Sequence, residues 1–97
     1  MVILIEIKFL GIFQRLTRKK HIQLILEEPV TVRKVITKLT ETFSNGFKQV
    51  LIDANFDNLR LKALIIINGK EISALQGLET EVKDSDEIVL VPTIHGG

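Results

Sequence analysis

The chain has 97 residues, with 13 Lys and Arg against 12 Asp and Glu for a net charge of +1, and 45% of it is hydrophobic. That is one domain with enough apolar residues for a single core, which excludes a disordered polymer. The near-zero charge excludes a bulk pull towards nucleic acid or an anionic membrane, and the absence of cysteine excludes disulfides and thiol chemistry.

Met1 to Lys8 has no basic leader, and Glu6 interrupts its apolar run, so no signal peptide is expected. No stretch reaches the roughly 18 apolar residues of a membrane span. The expectation is a cytoplasmic protein. Val2 to Leu10 alternates with period two: Ile3, Ile5, Ile7 and Phe9 share one side, and Leu4, Glu6, Lys8 and Leu10 the other. That is a strand with a strongly apolar face. Gly11 to Lys20 reads as an exposed, irregular loop carrying Arg15, Arg18, Lys19 and Lys20. His21 to Glu27 is a second strand, with Ile22, Leu24 and Leu26 on one face.

Pro29 closes that strand, and Thr31 is placed to cap a helix. Val32, Val35, Ile36, Leu39 and Phe43 follow at helical spacing as one apolar stripe. Ser44-Asn45-Gly46 reads as its C-terminal stop, and Phe47 to Ile52 as a further short helix or turn. Asp53 to Arg60 is polar and loop-like. Lys62 to Ile67 is a third strand, turned by Asn68-Gly69 into a brief return at Ile72. Ser73 to Lys83 is rich in turns, with Leu75, Leu78 and Val82 as core plugs. Lys83-Asp84-Ser85-Asp86 bends into a last strand, Glu87 to Val91, which Pro92 stops.

One amphipathic helix covers only one face of a sheet. The last strand is almost continuously apolar, as a central, doubly covered strand would be, and is expected beside the N-terminal one. The predicted fold is therefore α+β, a β-grasp: a mixed sheet of four to five strands with one main helix on one face. Residues 1–92 form the domain. Residues 93–97, Thr93-Ile94-His95-Gly96-Gly97, form a flexible tail. Two glycines give a thin arm with wide backbone freedom, suited to a narrow channel. The group expected to react is the α-carboxylate of Gly97, with Gly96 as its slender neighbour.

Three stretches resemble the ubiquitin-like sulfur carriers and modifiers. This family comprises the small subunit of molybdopterin synthase, the thiamin sulfur carrier, the ubiquitin-related modifier and the small archaeal modifiers. Lys8-Phe9, followed by Phe13-Gln14-Arg15-Leu16-Thr17, is similar to the first strand and following loop of the molybdopterin synthase subunit. Val82 to Ile88 resembles the bend of that subunit, with Ser85 where the pattern has glycine. The end Thr93 to Gly97 is similar to that of the ubiquitin-related modifier, whereas Pro92 is similar to the molybdopterin side.

The resemblance implies an E1-like adenylating enzyme as partner, with ATP and Mg²⁺ in that enzyme. No phosphate loop occurs in this sequence, so no cofactor is expected on this chain. The activated terminus would become a thiocarboxylate or pass to a lysine of a target protein. On this reading the chain is a carrier and not itself an enzyme. Two alternatives stay open: a sulfur-donating small subunit that inserts into the large subunit of molybdopterin synthase, and a ubiquitin-like interaction domain without tail chemistry.

Candidate partner contacts are the outward residues Leu4, Ile25, Val89 and Val91, the tail residues Pro92, Ile94 and His95, and Arg15. The register that sends Val89 and Val91 outward sends Ile88 and Leu90 into the core. Leu4 and Ile25 are expected to join Val89 and Val91 in one apolar patch on the sheet's open face. His95 has no acid or nucleophile nearby in sequence, so a catalytic role is not expected of it. His21 reads as a strand-edge residue. The two histidines lack metal-ligand spacing, so no metal is expected. No aromatic residue interleaves the basic cluster, which argues against nucleic acid.

Overall fold

The computed structural model describes residues 1–53 and 60–93. Strand β1 (Val2–Phe9) buries Ile3, Ile5, Ile7 and Phe9, the apolar side of its alternation. Strand β2 (His21–Glu27) pairs antiparallel to it, from Val2 opposite Glu27 to Lys8 opposite His21. The last strand, β7 (Glu87–Pro92), runs parallel to β1 on its other side, with Ile7 opposite Ile88. Strand β5 (Ala63–Ile67) is antiparallel to β7, and the two-residue β6 (Lys70–Glu71) closes the sheet. The order is β2-β1-β7-β5-β6, the mixed five-stranded sheet of the β-grasp. Strand β7 is central, but only one of its faces is covered: Ile88 and Leu90 are buried, whereas Val89 and Val91 stay half-open. Its continuous apolar run thus serves a core on one side and an open surface on the other.

Helix α2 (Val32–Thr42) covers the core face, the one that carries Ile88 and Leu90, with Val32, Val35, Ile36 and Leu39, all buried. Its first turn is capped by Thr31, whose side chain accepts a hydrogen bond from the Lys34 N–H. Two further helices share this side. Helix α1 (Ile12–Thr17) occupies most of the segment expected as an irregular loop. It buries Phe13 and Thr17, and the Thr17 hydroxyl donates to the Phe13 carbonyl at 2.8 Å. Helix α3 (Asn45–Leu51) starts where a stop was expected: the Ser44 side chain accepts from the Phe47 N–H, so Ser44-Asn45-Gly46 opens a helix. Four phenylalanines join these elements. Phe47 lies 6.0 Å from Phe9, 5.5 Å from Phe13 and 5.1 Å from Phe43 between ring centroids, and Phe9 lies 5.6 Å from Phe43.

Strands β3 (Ile52–Asp53) and β4 (Arg60–Leu61) pair as a separate two-stranded ladder; residues 54–59 between them lie outside the described residues. Asn68 (φ 50°) and Gly69 (φ 85°) form the two-residue turn that the β5–β6 hairpin needs. Ile72 and Val82 are buried and Leu78 is partly so. Leu75, expected as a core plug, is instead exposed on a turn between two short 3₁₀ helices (Ile72–Ala74 and Gly77–Glu79).

The bend before β7 extends the ladder of β1. The Asp84 carboxylate accepts from the Leu4 N–H, the Ser85 N–H donates to the Leu4 carbonyl, each at 2.8 Å, and the Glu6 N–H donates to the Asp86 carbonyl at 3.0 Å. Ser85 holds φ at 69°, a left-handed conformation that disfavours any side chain. Ser85→Gly is therefore expected to stabilise the fold by about 0.5–1 kcal/mol, net of the freedom glycine adds to the unfolded chain. A rise of a few degrees in the thermal midpoint would show it; a fall would mean that the serine side chain is needed at the turn.

Candidate functional site

The site begins where β7 leaves the sheet. Pro92 stands opposite Ala63 at the end of the β5–β7 ladder. Its ring lies against the backbone of Gly11, the residue between β1 and α1: a Cβ on Gly11 would come within 2.9 Å of the Pro92 Cγ. Gly11 also adopts φ 54° and ψ −129°, a region open to glycine and hostile to other residues. One residue on, the Thr93 hydroxyl donates to the Lys62 carbonyl at 2.7 Å. Lys62 in turn donates its N–H to the Leu51 carbonyl and its ammonium to the Gln49 carbonyl, both at 2.8 Å. Thr93 is thereby fixed to the end of α3. Two concavities flank it. One is lined by Ile12, Leu16, Val50 and Gln49, the other by Leu61, Ile65, Ile72 and Leu78.

Gly11→Ala is expected to cost about 2–3 kcal/mol, because a strained backbone and a ring contact coincide at one position. The thermal midpoint should fall by about 10 °C or more. A variant that melts with the wild type would show that the Gly11–Pro92 contact does not constrain the base of the tail.

The open face of the sheet is not one apolar patch. The cross-strand register places Leu64 beside Val91, and Ile66 beside Val89, next to the tail. The following rows are polar: Lys8 and His21 in line with Val89, then Glu87, Glu6 and Gln23. The Lys8 ammonium meets the Glu87 carboxylate at 3.0 Å, and the His21 imidazole lies 3.5 Å from Glu6. Leu4 and Ile25, opposite one another, come only beyond this belt. The expected continuity from Leu4 and Ile25 to Val89 and Val91 is therefore absent. At about 3.3 Å per residue, Leu4 sits some 20 Å along the sheet from Val91.

Arg15 is exposed in the last turn of α1, the helix whose Ile12 and Leu16 wall the tail base. Arg18, Lys19 and Lys20 follow it, also exposed. Ile94, His95, Gly96 and Gly97 lie outside the described residues. Among the described residues no three His, Asp or Glu side chains gather as a metal site, and no helix is long and apolar enough to cross a membrane. Lys62, which helps to fix the tail base, carries no signal for it in the sequence; for Gly11 the one available cue is that it is a lone glycine after a strand.

The sequence model of the family described as Urm1 (Ubiquitin related modifier) matches residues 4–97. The chain belongs to the ubiquitin-related modifier family. A protein of Archaeoglobus fulgidus named as a candidate sulfur carrier is 33% identical over 70 residues, 72% of this chain and 77% of the relative. The small archaeal modifier protein 1 of Methanosarcina acetivorans has a solution structure that superposes with a TM-score of 0.83 at 29% identity, covering 100% of this chain and 99% of that one. The fold is also that of a chain in the Amycolatopsis orientalis BexX/CysO complex, with a TM-score of 0.71 at 23% identity over 96% of this chain and 99% of that one. This is a β-grasp protein of the ubiquitin-like sulfur carriers and modifiers.

Proposed function

We propose that the α-carboxylate of Gly97 is the reacting group and that an E1-like partner activates it. The observation that carries this reading is the anchored exit. A central strand ends in a proline packed on Gly11 and a threonine hydrogen-bonded to Lys62, immediately before Ile94-His95-Gly96-Gly97. A carboxylate is a poor acyl donor because oxide is its leaving group. Its oxygen would attack the α-phosphate of ATP, forming the acyl-adenylate and releasing pyrophosphate. Sulfur at the sulfide level would then attack the acyl carbon, expelling AMP and leaving a thiocarboxylate. A target lysine in place of the sulfur would give an isopeptide. ATP and Mg²⁺ belong to the partner in this scheme, and the chain supplies the acyl group without catalysing the step.

A four-residue segment spans at most about 14 Å. The partner must therefore hold the body close to Thr93. Leu64, Val89 and Val91 on the open face, with Pro92 at the exit, are within that range of the arm's root, and Arg15 sits on the helix whose Ile12 and Leu16 wall it; Leu4 and Ile25 are out of range. The test is incubation of the chain with an E1-like adenylating enzyme, ATP and Mg²⁺, followed by intact-mass spectrometry. An AMP adduct, or a thiocarboxylate when sulfide is supplied, is expected on Gly97. An unmodified chain with an enzyme proven active on its own substrate would refute the reading.

A further inference from the structure

The two edges of the sheet are treated differently. Strand β6, at one edge, has two residues and runs directly into a 3₁₀ turn, which blunts it. Strand β2, at the other, has seven residues in regular pairing, with no proline, glycine or bulge. Its pairing with β1 extends one residue past each end: the Phe9 N–H donates to the Lys20 carbonyl and the Glu28 N–H to the Met1 carbonyl, each at 2.9 Å. Soluble proteins usually guard such an edge, because a row of unpaired N–H and C=O groups is a template for another strand.

These two bonds also fix the phase of the edge. Residues 20, 22, 24, 26 and 28 direct their backbone groups at β1. His21, Gln23, Ile25 and Glu27 direct theirs outwards. Apolar side chains remain open on both sides of this edge. Ile22 and Leu24 are only half-buried on the helix side; Ile25 is 70% exposed on the open side, next to Leu4 at 42% and Val2 at 59%.

The charges along β2 are polarised. Arg18, Lys19 and Lys20 precede it, and Glu27 and Glu28 end it. None of these five side chains has an ion-pair partner among the described residues. An edge that is positive at its start and negative at its end is complementary to its own antiparallel copy. Only registers that set outward-facing residues opposite one another complete the hydrogen bonds. One of these, centred on Leu24, pairs His21 with Glu27, Gln23 with Ile25, Ile22 with Leu26 and Lys20 with Glu28, every pair occurring twice.

We propose that β2 is a self-association edge, and that a second copy of this chain adds antiparallel to it about Leu24, giving a continuous ten-stranded sheet. The dimer covers Ile22, Leu24 and Ile25 and neutralises the Lys20 and Glu28 ends. Each β7 stays two strands in from the junction, so the two β7 strands lie about 24 Å apart. They leave the sheet in opposite directions, and both tail roots remain accessible. The proposal is independent of the chemistry of Gly97.

The test is sedimentation equilibrium of the full chain from micromolar to millimolar concentration. The apparent mass is expected to rise from 11.0 kDa towards twice that value. Lys20→Glu and Glu28→Lys alone should each weaken association by about tenfold, since each puts like charges together at two places. An equimolar mixture of the two variants should recover it, because each unlike pair is restored in the heterodimer. Ile25→Lys should be monomeric with an unchanged circular dichroism spectrum. A wild-type chain that stays at 11.0 kDa throughout overturns the proposal and leaves the edge to an extended segment of another protein. A dimer indifferent to both charge reversals, or not recovered on mixing, overturns it as well.

Discussion

Deleting Gly96 and Gly97 is expected to abolish AMP-adduct and thiocarboxylate formation while leaving the thermal midpoint within about 2 °C of the intact chain. The deletion does not remove a carboxylate; it moves one. The new terminus, on His95, shortens the arm's reach by at most about 7 Å and carries an imidazole where the intact chain has no side chain. Attack on a phosphate demands near-contact geometry, and a misplacement of about 1 Å already costs on the order of a hundredfold. A shortfall of several ångströms therefore takes the reaction below detection. Stability should hold because the contacts that fix the exit, Gly11 against Pro92 and Thr93 to Lys62, lie before the deletion. If the shortened chain were still adenylated, the partner would be reaching for the body and not for the arm. If it melted much earlier, the end would be structural.

The elements that the sequence announced are those in which many residues repeat one period. Strand β1 shows four buried residues at alternate positions, and α2 shows a stripe of four behind a threonine cap. Helix α1 escaped because it turns only Phe13 and Thr17 inward, too few to establish a helical period, and its basic residues imitate a loop. Ser44-Asn45-Gly46 is ambiguous by chemistry, since the residues that end helices also begin them; the decision came from Phe47, which the ring cluster draws inward. The outward direction of Val89 and Val91 follows from alternation. The polar belt separating them from Leu4 and Ile25 does not, because it depends on which residues of β1, β2 and β7 share a row. The contact of Gly11 with Pro92 joins the two ends of the chain and exists only once β1 and β7 are paired. The mounting of the proposed arm was thus illegible in the sequence, because it consists of contacts between distant segments and has no local pattern.

That mounting depends on Phe47, and Phe47→Ala is expected to destabilise the fold by about 3–5 kcal/mol. The ring is fully buried and touches three others, one each from β1, α1 and the end of α2. The loss combines transfer of a large apolar side chain, a cavity the neighbours fill only in part, and three ring pairs worth roughly 0.5–1.5 kcal/mol apiece beyond their area. A domain of this size has about 5–15 kcal/mol in total, so the variant would keep a reduced margin or none. Denaturant unfolding should show a lower midpoint with an unchanged slope if the cavity alone is responsible. Phe43→Ala, at a half-open position with two ring partners, should cost less. The effect should also reach the exit. Phe47 holds Phe13, Phe13 holds α1, and α1 sets the Gly11 backbone on which the Pro92 ring rests. At a temperature where Phe47→Ala is still folded, amide exchange of Ile12 to Leu16 should therefore quicken more than that of β2. Equal acceleration in both would mean that the cluster stabilises the domain as a whole without bracing the root of the tail.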